Sequence, residues 1–211
     1  MPCWLRLPAA PPRYSGDSGL SPLAWPPLAL DGFPRHVVKP SSRLFRIHRR
    51  DHGPWWFSRD GSGRFDLVSF GDHGTCYLAE EELGGFVEVF RDTAPIAPAA
   101  TDERGTSVCT VGNDLVLADC TSRTARGFGI TAELHSGRDY GRCQAWAIAL
   151  ALTGFDGIRY FVSHDPAQKL VGVALYGTLG EAPWPSYLRE IDPKVLEAAR
   201  QQFGLQVLPT T

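Results

Sequence analysis

The chain is poor in the features that mark specialised protein classes. Its five cysteines (Cys3, Cys76, Cys109, Cys120, Cys143) are odd in number and widely spaced. Without a C-x-x-C pair or a Cys/His cluster, neither a disulfide framework nor a structural zinc site is indicated. Scattered single cysteines suit a reducing compartment, where they serve as small apolar core residues. None of the six histidines stands in H-E-x-x-H spacing, so no metal is expected. The longest apolar run, residues 145–152, falls far short of the roughly 20 residues that span a bilayer. Seven prolines interrupt the first thirty residues, which excludes the continuous apolar segment of a signal peptide. No charge of one sign dominates. A net charge of -2 gives no reason to expect a nucleic-acid backbone as the main ligand. No internal repeat is evident. The expectation is a cytoplasmic protein that neither enters a membrane nor binds nucleic acid directly.

What is present suits one domain with a sizeable core: 211 residues, 43% hydrophobic and 21% charged. Residues 1–40 are set apart by proline and read as an extended arm, with Trp4 and Trp25 as candidate anchors to the body. The folded body is expected from about Ser41 to the C-terminus, residues 41–211, ending in a helical extension. Residues 44–49 alternate as a strand does, and Asp60-Gly61-Ser62-Gly63 is turn chemistry. A short strand over residues 76–79 precedes a helix over residues 80–92, in which Leu83, Phe86, Val87 and Phe90 form one apolar stripe. Glu80, Glu81 and Glu82 fall at its start, where the helix dipole favours them. A Pro/Ala loop over residues 93–102 leads to strands at 106–111 and 115–118. The clearest helix is capped by Asp139 and ended by Gly154, and it is apolar nearly all round, hence central. Strands at 157–163 and 170–177 follow, then a helix opened by Asp192-Pro193 and stopped by Gly204. Strands interleave with few helices, without regular βαβ alternation. That predicts an α+β fold with mixed or antiparallel sheets.

Three residues supply the parts of a nucleotide site: Arg64 after the glycine-rich turn, Tyr77 in the short strand and Glu88 in the helix. They are a fixed cation, a ring with a polar tip and a carboxylate. Taken singly, each has an ordinary reading: a salt-bridged surface arginine, a core aromatic, a solvated glutamate opposite the apolar stripe. The arginines cluster at Arg43, Arg46, Arg49 and Arg50, and again at Arg123, Arg126, Arg138 and Arg142. The second group reads either as a phosphate site or as a solvated basic face.

Order and context narrow these readings. Leu44-Phe45-Arg46, Gly63-Arg64-Phe65-Asp66, Cys76-Tyr77-Leu78-Ala79 and Phe86-Val87-Glu88 together resemble the RES domain family, named for an arginine, a glutamate and a serine. The family pattern places its glutamate eleven positions after its tyrosine, and Tyr77 to Glu88 is eleven. Gly157-Ile158-Arg159-Tyr160-Phe161-Val162-Ser163 matches the strand that delivers the family serine, and the helix carrying Gln144-Ala145-Trp146-Ala147 resembles its central helix. The resemblance covers residues 43–180. Two departures stand out: Asp66 occupies a position where asparagine is common, and the interval from Arg64 to Tyr77 is longer than usual.

The resemblance implies an ADP-ribosyltransferase-like fold and an NAD-consuming enzyme, commonly the toxin of a toxin–antitoxin pair. Carried onto this chain, Arg46 and Arg64 hold the NAD phosphates and Tyr77 packs against the nicotinamide or its ribose. Glu88 stabilises the developing positive charge, and Ser163 positions the nicotinamide–ribose end. NAD is then substrate, with inorganic phosphate as co-substrate if the bond is broken by phosphorolysis rather than hydrolysis. The implied partner is an antitoxin of the helix-turn-helix type. The rival readings are a protein ADP-ribosyltransferase and a non-catalytic module that binds a nucleotide or partner; a homo-oligomer is compatible with each.

Overall fold

The computed structural model describes residues 23–91 and 93–209. In chain order the elements are β1 (Arg35–Val38), β2 (Arg43–Arg49), β3 (Trp56–Phe57), β4 (His73–Ala79), α1 (Glu82–Phe90), α2 (Pro98–Asp102), β5 (Arg104–Thr110) and β6 (Leu115–Asp119). A 3-10 helix (Arg123–Phe128) follows, then α3 (Ala132–Ser136), α4 (Tyr140–Leu152), β7 (Gly157–Phe161), β8 (Val171–Thr178), β9 (Gly180–Glu181), β10 (Ser186–Arg189) and α5 (Pro193–Phe203). The α+β expectation holds. Eight strands form one sheet in the order β1-β6-β7-β8-β4-β2-β5-β10, and β3 and β9 make a small ribbon. Within the large sheet only β6 and β7 run parallel. Among the described residues no helix is long and apolar enough to cross a membrane.

Local chemistry accounts for the helices. The stripe of α1 is buried through Phe86, Val87 and Phe90, packed with Ile47 of β2 and Ala199 of α5. The Asp139 carboxylate accepts from the Arg142 N–H and caps α4, while the Asp192 carboxylate accepts from the Lys194 N–H at the start of α5. Gly204 ends α5 in the left-handed conformation. The acidic run before α1 works through tertiary contacts. Glu80 takes Arg159 in a two-pronged ion pair at 2.6 and 3.0 Å, and buried Glu82 accepts from Arg189 and from the Thr106 hydroxyl.

The sheet has two differently used faces. On one, Leu44, Cys76, Leu78, Cys109, Val173 and Leu175 pack beneath Trp55 and Phe57. On the other, two helical groups stand side by side. One is built on α4 and includes Trp146, Leu150, Ile158, Tyr160 and Ala174; the other is built on α1 and α5. The space between them is where a cleft can form.

Two sequence expectations are corrected. The body begins before Ser41: Leu23, Leu30 and Phe33 are buried against the α4 group, and β1 pairs antiparallel with β6. Trp146 Nε1 donates to the Ala24 carbonyl at 2.9 Å, so the segment straps across α4. Trp25 is half exposed and is covered on its ring by the Arg142 guanidinium; Leu23 is the buried anchor. Trp4 and the rest of residues 1–22 lie outside the described residues. The Pro/Ala loop also contains a short helix, α2, with proline in its first turn.

Candidate active site

A cleft of about 290 Å³ opens between the two helical groups. Its walls include Arg64, Tyr77, Tyr140 and Tyr160 on the α4 side and Gly85, Glu88, Val89 and Arg91 on the α1 side. The three residues singled out in the sequence therefore meet in one place. Glu88 projects from α1 away from the buried stripe, as its wheel position requires.

The turn before Arg64 is clamped from both sides. Asp66 Oδ2 accepts from the N–H groups of Gly61 and Gly63 at 3.0 and 2.9 Å. From α4, Gln144 Nε2 donates to the carbonyls of the same two residues at 3.1 and 3.0 Å. Tyr77 closes the clamp: its hydroxyl donates to Asp66 Oδ1 at 2.9 Å and accepts from the Phe65 N–H at 2.8 Å. Gly63 is needed here, because a Cβ at that position would overlap Asp66 Oδ1 and the Tyr77 hydroxyl. Burial and then the neighbouring Asp66 charge push the Tyr77 phenol well above its ordinary range, so it stays a donor. The departure at Asp66 thus has a definite employment in this chain.

Arg64 leaves this turn with its guanidinium donating to the Gly137 carbonyl and lying 4.8 Å over the Tyr140 ring. A planar cation stacked on an aromatic face is held in direction as well as position. Its charge reaches beneath the site: burial, and secondarily Arg64, lower the His135 ring to about 4. On the opposite wall Glu88 Oε2 accepts from Arg91 at 3.2 Å and Oε1 accepts from the Ser163 N–H at 3.3 Å. Ser163 is therefore joined to the site through its backbone, while its hydroxyl bonds His164 Nδ1 at 2.9 Å.

Arg46 is employed differently from the expectation. It borders the cleft along β2, but its Nη1 donates to the Pro54 carbonyl at 2.6 Å and lies 3.4 Å from Cys76 Sγ. Leu44 and Cys76, its neighbours there, belong to the core on the far face of the sheet. Arg91 takes the place beside Glu88. The second arginine group is not gathered into a site: Arg142 pairs with Asp139 at 3.0 Å and donates to the Leu23 carbonyl at 2.7 Å, whereas Arg123, Arg126 and Arg138 are exposed.

Sequence reading did not single out Arg91, Tyr140, Gln144 or Tyr160 as site residues. Arg91 is three positions after Glu88, a helical ion-pair spacing that was there to be read. Tyr160 is brought to the cleft by strand register, which no single strand reveals. The four described cysteines are buried, and burial pushes the Cys76 thiol up to about 11 and Cys109 up to about 12. Among the described residues no cluster of His, Cys, Asp and Glu is arranged to hold a metal ion.

The site is thus a cleft with a rigid cation on one wall and a braced carboxylate on the other. Among curated proteins none matches the chain. A solved structure of similar fold is the crystal structure of the M. tuberculosis MbcT-MbcA toxin-antitoxin complex; the matching chain is 22% identical, with a TM-score of 0.53, covering 73% of this chain and 84% of that one. The family model for the RES domain matches residues 43–180, the stretch that carries the turn, the cleft and both of its walls, and the protein belongs to that family.

Proposed function

We propose that this protein cleaves the nicotinamide–ribose bond of NAD in the cleft between α1 and α4. The observation that carries the reading is the convergence of Arg64, Tyr77 and Glu88 on one cleft, with the Glu88 carboxylate oriented by Arg91 and the Ser163 N–H. A cleft of about 290 Å³ suits the nicotinamide–ribose half of the dinucleotide, with the phosphates toward the stacked Arg64.

The chemistry asks for little acid–base help. Nicotinamide leaves as a neutral base: the electron pair of its bond to the ribose carbon moves onto the pyridinium nitrogen and cancels its charge. Positive charge builds on the ribose, opposite the Glu88 carboxylate, and an acceptor oxygen completes the new bond to carbon: a water loses one proton to solvent as it bonds, whereas an anionic phosphate oxygen has none to lose. A preorganised carboxylate in a cleft shielded from water favours that charge distribution. Tyr77 is fixed by its two hydrogen bonds and lines the cleft, where it limits the poses of the bound ring.

Water as acceptor gives glycohydrolysis and inorganic phosphate gives phosphorolysis. The fold shared with a chain of a toxin–antitoxin complex supports a toxin role with an antitoxin as partner; the helix-turn-helix type of that partner rests on the family resemblance alone. Nicotinamide release from NAD by the purified protein, with and without phosphate, tests the reading. Glu88→Gln is expected to lower the rate by about 10²–10³-fold. Full activity in that variant would overturn the mechanism, and label from NAD accumulating in protein would favour ADP-ribosyl transfer to a side chain.

A further inference from the structure

Tyr160 is 5% exposed, yet its hydroxyl meets no partner among the described residues. The register pairs it with Gly172 of β8, and pairs Tyr77 of β4 with Ala174 of the same strand. On the cleft side of the sheet, β8 therefore presents only Gly172 and Ala174 between two tyrosines. A Cβ at Gly172 would overlap the Tyr160 ring, so the ring lies down across β8 toward β4 because glycine leaves it room. The ring of Phe65 packs against it at 4.8 Å from the other side. The phenol is thus held in direction, and it lines the cleft.

Among the described residues no group hydrogen-bonds the Tyr160 hydroxyl, whereas the neighbouring Tyr77 hydroxyl is satisfied twice. Tyr176, a third tyrosine of this face and partly buried, donates to the Ala147 carbonyl at 3.1 Å. A buried phenol normally finds a partner, and one left facing a cleft is matched by what enters the cleft. The charged groups acting on it are Glu88 first, then Arg64 and Arg91, all walls of the same cleft. Burial and the Glu88 charge push the phenol well above its ordinary range, so it is a neutral donor throughout the physiological pH range.

We infer that the Tyr160 hydroxyl donates a hydrogen bond to an oxygen of the ribose half of the bound nucleotide, beside Glu88, and that this contact contributes to affinity. The inference rests on NAD being the ligand of the cleft. Tyr160→Phe removes one hydroxyl with no partner among the described residues, so two results are expected together. The melting temperature without ligand stays at or slightly above that of wild type. The KM for NAD rises about three- to tenfold, as for one neutral hydrogen bond, with kcat within about twofold. Calorimetric titration should show the same loss with ADP-ribose and none with nicotinamide.

An unchanged KM, or a lowered melting temperature without ligand, would overturn the contact. A loss seen with nicotinamide instead would overturn its placement on the ribose half. Wild-type protein that neither binds nor consumes NAD would overturn the reading of the cleft and this contact with it. Wild type that turns NAD over normally beside an unaltered Tyr160→Phe would overturn the contact alone.

Discussion

At the scale of single residues, Asp66 organises the site without facing a ligand. It is 2% exposed and accepts from two backbone N–H groups and the Tyr77 hydroxyl. Truncation strands all three donors. Asp66→Ala is expected to cost about 3 kcal/mol in urea denaturation and to loosen the turn that carries Arg64. Asp66→Asn behaves differently. Its amide oxygen can serve the two glycine N–H groups, and its NH2 can donate to a Tyr77 hydroxyl that reverses its role. We therefore expect the asparagine variant to lie within about 1 kcal/mol of wild type, and a loss as large as that of the alanine variant would contradict the clamp.

At the scale of elements, the joints between helices and sheet set the pH behaviour. His135 of α3 sits against the end of β7: its Nδ1 accepts from the Phe161 N–H at 3.3 Å, and the ring also bonds the Cys120 backbone. Burial first, and Arg64 second, bring the ring down to about 4, against 6.5 ordinarily. The unfolded chain therefore binds more protons than the folded one between about pH 6.5 and 4. Stability present above that window is lost as pH falls through it. From pH 7 to pH 5 the loss from this one group is about 2 kcal/mol. His48, buried and lowered chiefly by burial, acts in the same direction. His135→Gln should make the denaturation midpoint less sensitive to pH over that range without flattening it entirely. An unchanged pH profile would show that His135 does not couple α3 to β7 in this way.

The same scale shows where sequence reading succeeds and where it stops. α1, α4 and α5 carry their own evidence: a stripe at helical spacing, Asp139 and Asp192 as caps, Gly204 as a stop. β1 does not. Arg35-His36-Val37-Val38 is too short to outweigh the prolines around it, and its pairing with β6 is a contact between residues far apart in the chain. The short helix α2 is hidden for a related reason, since Pro98 reads equally as loop or as a first helical turn. In the site, Arg64, Tyr77 and Glu88 are legible because order and interval relate them. Tyr160 becomes a neighbour of Tyr77 only once β8 is laid between their strands. Arg46 misleads because residues of β2 alternate between faces, and a one-residue step decides whether a guanidinium meets the cleft or the opposite core.

At the scale of the whole molecule, the arm cannot be separated from the body at residue 40. Leu23, Leu30 and Phe33 are buried in the α4 cluster, each stabilising by about 1.5–3 kcal/mol, and β1 protects the edge of the sheet at β6. Deleting residues 1–40 removes a contribution comparable with the whole net stability of a typical domain. The truncated chain is expected to lose its cooperative thermal transition by circular dichroism and to aggregate. A truncation that melts like wild type would refute the assignment of residues 23–38 to the core.

The strand order also imposes a timetable. β8 lies between β7 and β4 in space, yet it is synthesised after both, and after every residue placed in the cleft. While the chain is still emerging from the ribosome, Arg64, Tyr77, Glu88 and Tyr160 can all be present without sharing a wall. The strand that joins their two halves arrives after all of them, so a chain interrupted before Val171 carries every reactive group and no site. Whatever the cleft does to the cell that makes it begins only once β8 has been made.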